Sequence, residues 1–271
     1  MPAFELLGPI YASTEEELSQ QIGPSGVTDI VSQLQRGSPV TSFTLTWHAI
    51  TTSGLTVLMN AAKQCDIFAS LKSINLSGNG IHCGLDLLVN LPSLESLTLS
   101  SNPLDRSTLG GLHPLVEFPS LSSLYLIECS LDKSSGHPLG CFLSRHAASL
   151  SRLYLGGNAL ESAGVTAMMD AAAYSFSFAS SSSSSSNSHH SHGGLKEMST
   201  LYLGLNNLDE DVLPKLAKWL EESCPKMQEM CLSDNMLTHK NNAHLQKLQT
   251  IVPLLHLGGN PFRIDATTDS E

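Results

Sequence analysis

The side chains of this 271-residue chain that could do chemistry fall into two groups. The first is Cys231 with His256. An imidazole beside a thiol favours the thiolate, the form that acts as a nucleophile. The second is His189, His190 and His192, which could catch a transition metal, but the serine-rich run around them offers no fixed coordination geometry. The patterns that usually carry catalysis are absent: no GxxxxGK[ST] phosphate loop, no HExxH, no GxSxG and no Cys/His spacing suited to zinc. No third group is in place to orient Cys231 and His256. The chain is therefore expected to be no enzyme, with no catalytic residue, no cofactor and no metal site.

Whether Cys231 and His256 meet at all depends on the elements that carry them. An eleven-residue pattern runs along the chain: apolar, two free positions, apolar, one free, Leu, two free, Asn or a small polar substitute, one free, apolar. Its eight copies are VTSFTLTWHAI from Val40, LKSINLSGNGI from Leu71, LESLTLSSNPL from Leu94, LSSLYLIECSL from Leu121, LSRLYLGGNAL from Leu150, MSTLYLGLNNL from Met198, MQEMCLSDNML from Met227 and VPLLHLGGNPF from Val252. Repeats of this kind stack into a solenoid whose neighbouring coils bury one continuous core. In each copy two apolar residues alternate around an outward one, as in Leu153-Tyr154-Leu155, which predicts a short strand with one buried face. The Asn that follows carries both a donor and an acceptor, so it can satisfy backbone groups buried in the turns of stacked coils. Cys129 and His48 replace it in two copies, and His48 suggests an edge coil with a looser demand.

The Asn-equivalents at 48, 79, 102, 129, 158, 206, 235 and 260 are separated by 31, 23, 27, 29, 48, 29 and 25 residues. Most returns are long enough for a helix. Val165, Met168, Met169 and Ala172 share one helical face, as do Val212, Leu216 and Leu220; the return after Asn79 has room for a single short turn. The long step is explained by residues 174–193, YSFSFASSSSSSSNSHHSHG, which cannot bury enough apolar surface to offset chain entropy and are expected to be a disordered loop. Residues 1–39 read as an N-terminal helical cap. Thr14 with Glu17 signals one helix, and Val27, Ile30, Val31 and Leu34 form the apolar face of a second over Ser25 to Gln35, the return of a repeat whose strand is missing. The solenoid spans 40–262 and a polar tail spans 263–271. That tail leaves the last strand uncapped, an edge through which two chains could pair.

Fourteen Lys and Arg stand against 25 Asp and Glu, giving a net charge of −11. Such a chain repels polyphosphate, and no basic run offsets this, so nucleic acid is not an expected partner. No apolar stretch is long enough for a bilayer and the N-terminus lacks a signal peptide's pattern, so no membrane is expected. The six cysteines form no CxxC pair and no clustered flank, which predicts free thiols in a reducing compartment, cytoplasmic or nuclear.

The pattern LxxLxLxxNxL with helical returns resembles the leucine-rich repeat family, and most of all its ribonuclease-inhibitor-like intracellular subfamily, over about residues 25 to 262. The resemblance implies an α/β fold: a curved solenoid of about eight repeats, parallel strands on the concave face and helices on the convex one. It implies no single activity. By analogy with Ran GTPase-activating proteins, which share the repeat subclass, the chain could regulate a small GTPase; Arg106, after Asn102-Pro103-Leu104, is the residue that would then act as a finger. An adaptor or receptor fragment is a further alternative.

Strand pairing would stack equivalent outward residues into a column: Thr44, Asn75, Thr98, Tyr125, Tyr154, Tyr202, Cys231 and His256. Three of the chain's five tyrosines fall on consecutive coils here. Tyrosine combines large area, small entropy loss and a polar tip, the properties of an interface anchor. With Ile127, Glu128, Arg152 and Leu205 around them, and glycines such as Gly156 and Gly157 keeping the strand ends shallow, these residues are the expected contact patch for a protein or peptide partner. The same tyrosines also have a purely structural use, since aromatic pairs across strands support a sheet.

Overall fold

The structure, a computed structural model, describes residues 3–7, 23–34, 40–65, 68–83, 85–88, 91–104, 118–179, 194–240 and 242–262. Nine parallel strands in chain order form one sheet among these residues. They are β1 (Ala3–Leu7), β2 (Ser42–Thr46), β3 (Ser73–Asn75), β4 (Ser96–Thr98), β5 (Ser123–Tyr125), β6 (Arg152–Tyr154), β7 (Thr200–Tyr202), β8 (Glu229–Cys231) and β9 (Leu254–His256). Parallel neighbours require a crossover, and helices supply six of the eight: α1 (Gly23–Leu34), α2 (Thr51–Cys65), α3 (Gly136–Arg145), α4 (Glu161–Ala179), α5 (Leu213–Ser223) and α6 (Ala243–Ile251). Among the described residues the tight return after Asn79 holds only the 3-10 turn Leu85–Leu88. Strands lie about 4.8 Å apart, whereas packed helices need roughly 8–10 Å. Stacking such coils therefore bends the array with its strands inside, the architecture of a leucine-rich-repeat solenoid.

The alternation of the repeat is realised residue by residue. Phe43, Ile74, Leu97, Leu124, Leu153, Leu201, Met230 and Leu255 are mutual register partners and form one inward row. Leu76, Leu99, Leu126, Leu155 and Leu203 form the next, each donating its N–H to the carbonyl of the following strand at 2.8–3.0 Å. All five are essentially fully buried, and each contributes on the order of 2 kcal/mol by leaving water. The helices close the other side. Val165, Met168, Met169 and Ala172 on α4, and Leu216 and Leu220 on α5 with Val212 in the turn before it, are buried as their spacing predicts. Helices α3 and α4 approach so closely that a Cβ on Gly140 would sit 2.2 Å from the Met168 carbonyl oxygen.

The turns are tied by an asparagine ladder. Asn158 Oδ1 accepts from the N–H groups of Cys129 (2.9 Å) and Leu131 (3.1 Å), while its Nδ2 donates to the carbonyls of Leu126 and Leu155, both at 2.8 Å. Asn102 and Asn235 do the same in their coils, while Asn79 and Asn206 donate to two carbonyls but accept from one amide each, His48 N–H and Leu160 N–H. Cys129 fills the place only in part. Its thiol donates to Leu99 O at 3.3 Å, but Leu104 N–H turns to the Cys129 and Asn102 carbonyls.

Three expectations are corrected. The N-terminal stretch is not wholly a helical cap: β1 pairs with β2, placing Phe4 and Leu6 in the register of Phe43 and Leu45. The alternation in AFELL supports this strand, but Pro9 stands where the eleven-residue template has Asn. The coil of His48 is therefore no edge, and His48 is buried, its N–H held by Asn79 Oδ1. Helix α4 runs on to Ala179, so the first six residues of the stretch 174–193 are helical rather than loop, because extending a formed helix costs far less than starting one. The remainder of that stretch, the helix signalled by Thr14 and Glu17, and the tail 263–271 lie outside the described residues. The second predicted helix appears as α1.

Candidate protein interface on the strand face

The register brings the outward column together as the spacing predicts. Thr44, Asn75, Thr98, Tyr125, Tyr154, Tyr202, Cys231 and His256 are successive partners across β2 to β9. Within it the aromatic rings form a stack. Tyr125 and Tyr154 lie with centroids 4.4 Å apart and planes within 7°, Tyr154 and Tyr202 lie 4.9 Å apart at 36°, and His256 follows Tyr202 at 6.2 Å. The three tyrosines are half-buried, their stacked faces covering one another. Such stacking contributes about 0.5–1.5 kcal/mol per pair beyond area burial.

One end of the stack is electrostatically organised by Glu229, which sits two residues before Cys231 and so on the same face of β8. Its Oε1 accepts the Tyr202 hydroxyl at 2.5 Å and meets His256 Nε2 at 3.0 Å. Ionising Tyr202 would break the first bond; with desolvation and the adjacent negative charge added, the phenol is pushed up to about 12. The bonds from Tyr202 and His256 in turn hold the Glu229 carboxyl below the usual range. Tyr154 is also shifted upward, by desolvation first and by Tyr125 second. His256 thus takes Glu229 as its hydrogen-bond partner, and no thiol–imidazole bond links it to Cys231 among the described residues. Glu229 was not among the expected contact residues. The signal for it was its position two residues before an outward site, which sets it diagonal to Tyr202 and His256.

The flanking residues divide between two other columns. Arg152 stands in the column Ser96, Ser123, Arg152, Thr200, Glu229, beside the stack, exposed, with Nε donating to Ser123 Oγ at 2.9 Å. Ile127 is half-buried on the other flank, its N–H held by Ser100 Oγ at 3.2 Å. Glu128 and Leu205 do not join the rings. They occupy the next position along, where each coil turns off the sheet, equivalent to Trp47, Gly78, Ser101, Gly157, Asp234 and Gly259. All eight backbones there are left-handed, with φ between 54° and 71°. Glycine suits this conformation, and at Gly157 a Cβ would also meet the Glu128 side chain at 2.8 Å. Leucine does not suit it, yet Leu205 adopts φ 56° and leaves 58% of its surface exposed. Arg106 and the histidines of 189–192 lie outside the described residues. Among the described residues no three His, Cys, Asp or Glu side chains gather into a metal site, and no helix is long and apolar enough to cross a membrane.

No family model matches the chain, and no curated protein matches it. Among solved structures, internalin C2 from Listeria monocytogenes is similar at 21% identity and a TM-score of 0.46, over 81% of this chain and 72% of that one. A chain of the Drosophila Toll–Spatzle complex is similar at 16% identity and TM-score 0.48, over 84% of this chain and 24% of that one. Human 5T4, the trophoblast glycoprotein, is similar at 22% identity and TM-score 0.45, over 72% and 65%.

Proposed function

We propose that this chain is a non-catalytic interaction module that binds a protein or peptide partner on its concave strand face, centred on Tyr125, Tyr154 and Tyr202. The observation that carries the reading is the stack itself: three partly exposed tyrosines in register, on a face otherwise built largely of Ser, Thr and Gly. Rigid aromatic area of this kind gives most of the affinity in protein interfaces. The engagement of His256 with Glu229 supports the absence of a thiol nucleophile at Cys231. The α-helical returns support the ribonuclease-inhibitor-like repeat type. The free thiols at Cys83, Cys129, Cys141, Cys224 and Cys231 support a reducing, cytoplasmic or nuclear setting.

Affinity capture from the native cell tests this, comparing the wild-type chain, the double variant Tyr154→Ala/Tyr202→Ala and, as a helix-face control, Val57→Ala. Loss of a captured protein with the double variant alone, its circular dichroism unchanged, is the expected result; undiminished recovery rejects the patch. Self-association through β9 is a second proposal. Leu254 there is 50% exposed, and the inward Leu255 and Leu257 are only partly buried. Light scattering over a concentration series would show a mass that rises with concentration, and a constant monomer mass would exclude it.

A further inference from the structure

Most of the described cations that carry an ion pair do so within their own neighbourhood: Lys72 with Glu95 (2.6 Å), Lys133 with Glu161 (3.3 Å), Lys215 with Asp170 (2.5 Å), Lys226 with Glu197 (2.7 Å) and Lys247 with Glu221 (2.6 Å). Arg152, like Lys63, Lys196 and Lys240, has no such pair, and unlike those lysines it lies in a strand. Among the described residues no carboxylate lies within ion-pair distance of it, although acids outnumber bases 25 to 14 in the chain. A guanidinium has five N–H donors. The Nε donor is spent on Ser123 Oγ, which orients the group along the strand face beside the Tyr125–Tyr154 stack and leaves the Nη fork for an acceptor from outside. Glu229 cannot serve. It stands two strands away in the same column, about 10 Å off, and is engaged by Tyr202 and His256.

We propose that Arg152 anchors an acidic side chain of the partner: the occupant of the strand face is a peptide segment presenting an Asp or Glu carboxylate to the Arg152 fork, next to an apolar or aromatic residue that lies on the edges of Tyr125 and Tyr154. This rests on the interface reading above and sharpens it. A planar carboxylate matches the guanidinium fork bidentately. One guanidinium with no second cation beside it suits a monoanion better than a phosphoryl dianion. The column continues on both sides of Arg152, through Ser123 and Thr200, with no wall against which a chain terminus would stop, so the carboxylate belongs to a side chain of a passing segment.

The probe is a random dodecapeptide library displayed on phage, selected separately on the wild-type chain, Arg152→Gln, Arg152→Glu and Tyr154→Ala/Tyr202→Ala, with an unrelated protein as control. The wild-type chain is expected to enrich peptides with an Asp or Glu beside an aromatic or aliphatic residue. A synthesised winner should bind Arg152→Gln at least tenfold more weakly. Changing its acid to the amide should cost the same factor on the wild-type chain and nothing further on Arg152→Gln. Arg152→Glu should enrich Lys or Arg instead. Equal binding of the winner to wild-type and Arg152→Gln overturns the role of Arg152; if it is still lost on the tyrosine double variant, the interface reading survives. Absence of enrichment over the control overturns the acidic segment as occupant. A tenfold preference for a phosphoserine version over the acidic winner overturns the carboxylate assignment.

Discussion

Replacing Asn158 by alanine should unfasten the coil of Tyr125 from the coil of Tyr154. The side chain is buried, and it alone accepts from two amides of the preceding coil, Cys129 N–H and Leu131 N–H, while filling the carbonyls of Leu126 and Leu155. A buried amide left without an acceptor costs roughly 1–3 kcal/mol. Two of them, with the cavity left by the lost carboxamide, bring the expected loss to about 4 kcal/mol. Asn158→Asp separates the two halves of the ladder: it keeps an acceptor for the amides but sets a second oxygen against the Leu126 and Leu155 carbonyls, so it should destabilise comparably. Cys129→Asn runs the other way. It offers an acceptor to the preceding turn, where Leu104 N–H now turns to backbone carbonyls, and should gain about 1 kcal/mol. Urea titrations followed by circular dichroism read all three as shifts in midpoint, and a reduced slope would mean that the array parts into two blocks there. A loss below about 1 kcal/mol for Asn158→Ala would refute the ladder as the tie between coils.

Three further outcomes follow from the geometry. Glu210 is partly desolvated, which opposes ionisation, but hydrogen bonds from Thr238 N–H, His239 N–H and Thr238 Oγ1 prevail and hold it at about 2. Because its folded value is depressed, its stabilisation is present above the ordinary value of 4.5 and is lost as pH falls toward about 2. The gap in urea midpoint between wild type and Glu210→Gln should therefore narrow over that window, and a pH-independent gap would be contrary. Tyr202 is raised, so its hydrogen bond to Glu229 stabilises the fold below the usual phenol value of 10 and is lost as pH rises through about 12. The tyrosinate absorbance assigned to Tyr202 by difference from Tyr202→Phe should move back toward 10 in Glu229→Gln. Leu205→Gly relieves a left-handed cost of about 1–2 kcal/mol against a glycine entropy penalty of about 0.5–1 kcal/mol. It should raise thermal stability slightly while weakening partner capture; a stability loss would show that the leucine is held by contacts rather than strained.

The strands, their order and the outward column were legible because the repeat writes the same inward pair and the same Asn into every copy, so register follows from counting. The stack Tyr125–Tyr154–Tyr202 came with it. Strand β1 was hidden because AFELL keeps only the period-two alternation, too short to stand out without the following Asn. The helical run to Ala179 was hidden because composition describes the whole serine-rich stretch, while helix propagation from Glu161 is decided by the residues before it. The site's electrostatics were less visible still. Glu229 is one of many acids in the sequence, and only diagonal contacts across three strands select it as the partner of both Tyr202 and His256. The left-handed position before each Asn carried a faint signal in Gly78, Gly157 and Gly259, masked by Trp47, Glu128 and Leu205 in the same place.

The strand face, rather than the helix face, is the side proposed to meet a partner. Photo-crosslinking in the native cell measures this directly, with benzoylphenylalanine replacing Tyr125 in one chain and the helix-face Val57 in another. A discrete protein adduct is expected from position 125, lost when Tyr154→Ala and Tyr202→Ala are added, and none from position 57. Adducts from position 57 alone, or from neither position, would contradict it.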